Sequence, residues 1–365
     1  MGQTREKKPS KRTLKAEVAV DPAAPVLVSK QSSSQPRVRS ASTTEVEAEY
    51  DPSVVEVRYT ENKGYALFAT RRIPPGTLVL QEEPLIRLTR DEEVESNTED
   101  LLVQRYNGLH KDIQRQYTKL HDSKKSDFSR TKSIYFSNCY NLNGDRSIHG
   151  GSCIGSTASR INHSCIPNVQ FSFAESDDSP QSASAPMRMK FHAIKPIAKD
   201  KEILSNYENI FLTSIQRRQR LQMYYGFQCD CEACSGSVSG HSFWASSDDR
   251  RREMIRLKHE IDSTEKQKQQ NELQRSDELE NTIASLQRME VLLVKEGLFG
   301  DPLARVYADL ARWSVQANRP DEAQKWLGCE RRVCVMGFGV NSRRPRDTDH
   351  RIAELELDSN FDVAC

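Results

Sequence analysis

Cys229, Cys231 and Cys234 fall within six residues of one another. Thiolates at that spacing converge on one ion without ordering a long loop, which points to zinc. Zinc in a structural site takes four ligands in a tetrahedron, so three leave a corner open. The fourth has to come from elsewhere, and Cys165 in the stretch RINHSCIPNV (160–169) is the candidate. A shared ion would pin two distant segments together. It would also fix Asn162 and His163 against the chain leading into the cysteine cluster. The competing reading is a group of buried or redox-active thiols without metal. Cys139, Cys153, Cys329, Cys334 and Cys365 lack such spacing and read as ordinary buried or surface cysteines.

The total of 9 cysteines is odd, and the opening MGQTREKKPSKRTLK has no apolar core of a secretory signal. Disulfides are therefore not expected. No stretch approaches the length of a membrane span. The net charge of +1 provides no global field for steering nucleic acid, so direct nucleic-acid binding is not expected. With 365 residues, the chain can build one moderate domain with a smaller partner, or two comparable ones. Charged residues at 29% against 36% hydrophobic leave part of it as solvated tail, linker or exposed helix.

Residues 1–50, rich in Lys, Ser, Pro and Glu without apolar periodicity, read as a disordered tail. Its cluster Lys7, Lys8, Lys11 and Arg12 reads as solvated, the alternative being an import signal or an acidic partner. Order begins near Val54, with short β segments punctuated by Gly64 and by Pro74-Pro75-Gly76. Residues 91–130 turn acidic and then helical. Leu109, Ile113, Tyr117 and Leu120 recur there at spacings of three to four, as in a helical insert. Strand character returns over 169–173, 187–193, 194–197 and 202–207, and a short helix follows over 214–224. Beyond Cys234 the chain is helical, with stripes Met254, Leu257, Ile261 and Leu279, Ile283, Leu286, Leu293. Asp301-Pro302 signals a helix start, cap then proline, and Pro320 opens another helix. That last pair resembles one tetratricopeptide-type hairpin, without a clear second copy.

The sequence resembles the SET-domain lysine methyltransferases, and most of all the SET/MYND-like branch found in fungi. Four segments carry the resemblance in the family's order. They are Lys63 to Ala69 (KGYALFA), Arg160 to Asn168 (RINHSCIPN), Ile197 to Tyr207, and the cysteine cluster. Their joint occurrence is what is specific: alone, Tyr207 would read as a structural tyrosine, His163 as a loop histidine and Asn162 or Asn168 as turn formers.

The resemblance implies an α+β fold of small curved β-sheets with knot-like threading. It implies a SET domain over 51–228 with a helical insert at about 91–130, then a zinc-binding segment at 229–240. A helical, tetratricopeptide-like region would occupy 241–365. Lys63, Gly64 and Tyr65 would border an S-adenosylmethionine pocket, Asn162 and His163 would contact the cofactor, and Tyr207 would stand at the methyl-transfer centre. Tyr225, a second catalytic candidate, and Phe227 would line the lysine channel. Cys165, Cys229, Cys231 and Cys234 would hold one zinc. Residues 89–130 contain no cysteine, so the MYND finger is absent and a single zinc is expected.

The implied activity is S-adenosylmethionine-dependent methylation of lysine on a protein, a histone tail or another substrate, by a monomer in the nucleus or cytoplasm. The alternative is a catalytically degenerate SET module acting as an interaction scaffold. Two departures bear on this choice. Ala66 stands where the family often has a second glycine, and its methyl would tighten or tilt the cofactor pocket. Asp200-Lys201-Glu202 stands where Gly-Glu-Glu is common, and Asp tolerates turn geometry.

Overall fold

The structure is a computed structural model and describes residues 50–123, 128–142, 150–175, 187–239, 243–270 and 276–363. The tail expected over residues 1–50, with its basic cluster, lies outside these apart from Tyr50, as does Cys365.

Strands β1 (Val55–Thr60) and β2 (Gly64–Ala69) form an antiparallel hairpin, with Thr60 opposite Gly64. Gly64 adopts φ +71°, a conformation that favours glycine, and a Cβ added there would meet no atom within 4 Å. Strands β3 (Leu78–Glu82), β9 (Met187–Ala193) and β8 (Val169–Glu175) make one three-stranded sheet, in that order. Strands β4 (Ile86–Leu88), β6 (Ser152–Ile154) and β5 (Tyr140–Asn141) make another. The apolar faces of β2, β3, β8 and β9 close on one core through Leu67, Val79, Phe173 and Phe191.

The remaining pair is short and parallel. In β7 (Asn162–His163) and β10 (Leu204–Ser205), Asn162 lies opposite Leu204 and His163 opposite Ser205. Bonds outside the ladder extend this contact. Ser164 N–H donates to the Ser205 carbonyl at 2.9 Å, and Asn168 N–H to the Leu204 carbonyl at 3.0 Å. The Asn168 side chain accepts from Leu204 N–H at 2.8 Å and donates to the Glu202 carbonyl at 2.9 Å. Residues 202–205 thus run along the inner edge of the 162–168 segment, and Asn168 serves as part of a ladder instead of as a turn former. Two of the stretches that carry the resemblance therefore lie side by side.

Four helices lie between β4 and β5: α1 (Arg90–Val94), α2 (Thr98–Gly108), α3 (Lys111–Tyr117) and α4 (Arg130–Asn138). The stripe from Leu109 to Leu120 is not one helix, because the chain turns extended at Leu109 and restarts under a His110 cap. Ile194–Ile197 is not a strand. Ile197 makes only an isolated bridge with Ile73 before Asp200 turns the chain at φ +63°, the left-handed geometry that Asp tolerates.

Helix α5 (Ser214–Tyr225) ends at Gly226, whose φ of +77° gives a left-handed cap, and α6 (Glu232–Ser239) carries the last cysteine. The helical region comprises α7 (Ser247–Gln270), α8 (Ser276–Glu296), α9 (Asp301–Gln316), α10 (Pro320–Phe338) and α11 (Arg343–Val363). Its core joins Met254, Leu286, Leu310 and Trp313, with Tyr307 stacked on Trp326 at 5.9 Å. Asp301 is the first residue of α9 and not its cap. Gly300 takes the cap position, and Asp301 pairs with Arg305 (2.7 Å) and Arg344 (2.8 Å). Helix α11 has no strong apolar stripe to announce it, and among its described side chains only Ile352 and Leu355 pack against the helical core.

A buried ion cluster ties this region to the β framework. Glu296, fully buried, accepts from Arg250 Nε at 2.7 Å and Arg251 Nε at 2.9 Å. Arg251, also fully buried, donates in turn to the Cys165 carbonyl at 3.0 Å. Removing one member of such a cluster strands its partners away from water. Glu296→Gln is expected to lower stability by about 3–5 kcal/mol, measured by urea unfolding. A loss under about 1 kcal/mol would mean the arginines reach solvent or another anion.

Candidate active site and cysteine centre

The four cysteines singled out from the sequence come together. Their sulfurs all lie within 4.8 Å of one another, with Cys165 Sγ 3.8 Å from Cys229 Sγ and 3.6 Å from Cys234 Sγ. These separations exceed the ~2.05 Å of a disulfide. They match the edge of a tetrahedron with zinc–sulfur bonds of about 2.3 Å, which is about 3.8 Å. Four thiols this close cannot all ionise unaided. Hydrogen bonding to Cys229 and the other sulfurs pushes the Cys165 thiol up, while the same kind of bonding, first from Cys165, pulls Cys231 down and Cys234 to about 7. A divalent cation would resolve the conflict by taking all four as thiolates.

Two further donors fit that charge. The fully buried Arg217, on α5, directs Nε–H to Cys165 Sγ at 3.0 Å and a terminal N–H to Cys234 Sγ at 3.4 Å. A neutral thiol is a weak acceptor, so two N–H groups aimed at sulfur suit a thiolate. The residues therefore fit one zinc. Ile166, next to Cys165, packs against both this centre and the helical core, joining the three parts.

The residues assigned to the cofactor separate into two groups. Lys63 and Asn162 meet at Glu202: Lys63 Nζ pairs with it at 3.0 Å and Asn162 Nδ2 donates to it at 2.7 Å. Gly64 is the next residue after Lys63, and Ala66 is fully buried within β2. Tyr65 projects to the other side of that strand, half exposed, beside Tyr59 and under the Arg160 guanidinium.

His163 and Tyr207 form the second group, with Tyr225 and Phe227. The ring of Tyr207 lies 5.2 Å from His163 and 5.1 Å from Tyr225, and Phe227 lies 6.0 Å from His163. Tyr207 is held at both ends. Its hydroxyl donates to the Ile161 carbonyl, and its N–H donates to His163 Nδ1 at 3.0 Å. Burial drives the Tyr207 phenol well above its ordinary value and pushes Tyr225 up to about 12. Both hydroxyls thus stay protonated at neutral pH. Burial also pulls His163 down to about 4.

A cavity of about 950 Å³ opens onto this pair. Tyr207, Tyr225, Asn206 and Tyr140 line one side, and Arg305 and Arg344 of the helical region line the other. Lys63, Asn162 and His163 do not line it. Tyr207 lines the cavity, and its two tethers, Ile161 and His163, flank Asn162 of the Lys63–Glu202–Asn162 group. The Asn206 side-chain oxygen, beside Tyr207, is buried without a hydrogen-bond partner.

Sequence reasoning missed four residues here. Glu202 reads as part of a turn, and Arg217 as one cation of a solvated helix face. Asn206 carries no motif. Glu82, half-buried at the end of β3, accepts from Thr157 N–H (3.0 Å) and Ala158 N–H (2.7 Å), fixing the turn that leads to Arg160. Its partner signal is Gly155, where an added Cβ would fall 2.0 Å from the Glu82 carboxylate. None of the described helices is long and apolar enough to cross a membrane.

Residues 64–208 match the family model described as the SET domain. Histone-lysine N-methyltransferase set5 of Schizosaccharomyces pombe is 27% identical over 186 residues, covering 51% of this chain and 52% of that one. A putative SET domain-containing protein of Acanthamoeba polyphaga mimivirus is 24% identical over 215 residues, covering 51% of this chain and 79% of its own. Histone-lysine N-methyltransferase Smyd1 of Mus musculus is 27% identical over 143 residues, 39% of this chain and 29% of its own. The chain spans about half the length of the fission-yeast relative. The family match opens at Gly64 and closes one residue past Tyr207, so it includes Asn162, His163, Glu202 and Tyr207 but not Lys63, Tyr225 or Phe227. Over residues 64–208 the chain is similar to the SET domain.

Proposed function

We propose that the chain is an S-adenosylmethionine-dependent protein-lysine methyltransferase. The observation that carries this reading is that Tyr207 lines a cavity large enough for a peptide segment while held by Ile161 and His163, the residues on either side of Asn162 in a polar group fit for a zwitterion. Lys63 and Glu202 offer one cation and one anion, and the space beside Gly64 is clear of atoms. When bound, S-adenosylmethionine supplies an electrophilic methyl group on a sulfonium.

The chain's own residues would do the rest. An acceptor lysine, with a free pKa near 10.4, must lose its proton before it can attack. Tyr207 cannot take that proton as a phenolate, because its hydroxyl stays protonated. Its hydroxyl hydrogen is already given to Ile161, which leaves the oxygen lone pairs free to orient the amine. The rings of Tyr225 and Phe227 exclude water, which disfavours the ammonium form, and their faces accommodate the cationic product. Acceleration comes chiefly from alignment in a near-attack geometry. The substrate class we propose is a protein with an exposed lysine, a histone among the candidates because two relatives bear that name.

The test is calorimetry followed by transfer. Zinc-replete protein is expected to bind S-adenosylmethionine at one site per chain. With labelled cofactor, it should mark lysines in histones or in a lysate, read by mass spectrometry. Absence of binding to folded, zinc-replete chain would reject the enzyme and favour the scaffold reading. Binding without any labelled lysine would do the same.

A further inference from the structure

His163 has a use that its place in the family motif does not explain, and it rests on the methyltransferase reading and the zinc fit above. Its Nδ1 accepts the Tyr207 backbone N–H at 3.0 Å, so Nδ1 carries no proton. The proton of the ring is then on Nε2, and Nε2 faces the Cys165 sulfur at 3.2 Å. One buried imidazole thus has the reaction-centre tyrosine on one nitrogen and a cysteine of the four-thiolate centre on the other.

We infer that His163 is a positioning residue, which ties the placement of Tyr207 to the placement of the cysteine centre. The physical chain is short. A thiolate at Cys165 attracts the Nε2–H and fixes both the tautomer and the ring plane. The fixed ring presents the Nδ1 lone pair to Tyr207 N–H. The adjoining Ile161 carbonyl receives the Tyr207 hydroxyl, so residues 161 and 163 clamp the tyrosine at its two ends. Tyr207 follows β10 by two residues, outside the last ladder pair, Ser205 with His163. Its backbone therefore depends on this side-chain bond for its position.

Loss of the metal frees the Cys165 side chain from its fixed place, and with it the contact that holds His163 Nε2. The ring then has no reason to keep its plane, and the tyrosine loses one of its two tethers. The zinc centre so described acts on the chemistry and does not merely staple two segments. Arg217, the other donor to Cys165, makes no bond to Tyr207 among those described, so it stabilises the centre without this second effect.

Two conservative variants separate the nitrogens. In His163→Asn, the amide oxygen can replace Nδ1 towards Tyr207, but nothing reaches Cys165. In His163→Gln, the amide N–H can replace Nε2 towards Cys165, but Tyr207 N–H loses its acceptor. Zinc release to a chromophoric chelator and kcat with labelled S-adenosylmethionine are measured on both full-length variants. The Asn variant is expected to release zinc about tenfold faster than the parent and to lose less kcat than the Gln variant. The Gln variant is expected to keep the parent's release rate while kcat falls by roughly 10–100-fold. Equal behaviour of the two variants would overturn the inference. So would a 15N spectrum of the parent chain showing His163 protonated on Nδ1, a measurement that needs neither variant to fold. If the parent transfers no methyl to any substrate, the enzyme reading fails. The tautomer and the difference in zinc release still decide the role of His163.

Discussion

Cys231→Ser is expected to reduce bound zinc from about one ion per chain to well under half, measured by metal analysis of dialysed protein. It should also unfold the region around the centre. The magnitude follows from what the metal replaces. Four buried or half-buried sulfurs sit where no large apolar cluster could form, since the local core is only Cys165, Leu221, Cys229, Ala233 and Cys234. Structural zinc sites in small peptides contribute about 10–16 kcal/mol of apparent folding energy. Here the sheets and helices have cores of their own, so only part of that is felt globally. A fall of about 3–5 kcal/mol, the size seen when a buried charge loses its partner, is a lower bound. Arg217 sharpens the expectation, because a fully buried guanidinium beside Cys165 and Cys234 is stranded once the thiolate charge goes. Chelation of the parent protein should give the same loss, with recovery on adding zinc back. A Cys231→Ser chain as stable as the parent and still holding an ion would show that Cys231 is not needed as a ligand, and would reject the four-thiolate centre.

What could be read in the sequence follows from how local each signal is. The thiol spacing 229–231–234 is local, and the demand of zinc for a fourth ligand reaches across the chain to Cys165 without any knowledge of the fold. Helices α7 to α10 announce themselves because their apolar stripes serve one core. Glu202 is illegible for the opposite reason. Its role comes from meeting Lys63 and Asn162 from elsewhere in the chain, and no spacing within 200–203 encodes that. Arg217 sits among Arg218 and Arg220 on a helix that reads as solvated, yet it alone turns inward, towards sulfurs contributed by other segments. Ile194–Ile197 looks like a strand from its apolar residues, but only Ile197 pairs, in a bridge with Ile73, before Asp200 turns the chain. Helix α4 escapes notice because its buried Ser133, Ile134, Tyr135 and Ser137 mix polar and apolar residues without a period.

Tyr207→Phe is expected to cut kcat for methyl transfer by about 10²–10³, the cost of losing one well-placed polar group at a reacting centre. The argument depends on what the hydroxyl does and does not do. It is not the base, since burial keeps it protonated, so its loss does not shift a pH profile. It is tied to the Ile161 carbonyl and stands over the mouth of the cavity, so its loss frees the ring to tilt and removes the oxygen that orients the amine. Misplacement of about 1 Å at such a centre is enough for a 10²-fold effect. The fold should hardly notice, because a single hydrogen bond to a carbonyl contributes about 1 kcal/mol and the ring remains packed between His163 and Tyr225. Binding of S-adenosylmethionine and the zinc content should stay at parent values, since Lys63, Asn162, Glu202 and the four cysteines are untouched. Tyr225→Phe, lining the same cavity without that tether, should lose less. If Tyr207→Phe keeps kcat within about threefold, the hydroxyl has no part in orienting the acceptor, and the aromatic walls alone would have to account for any transfer observed.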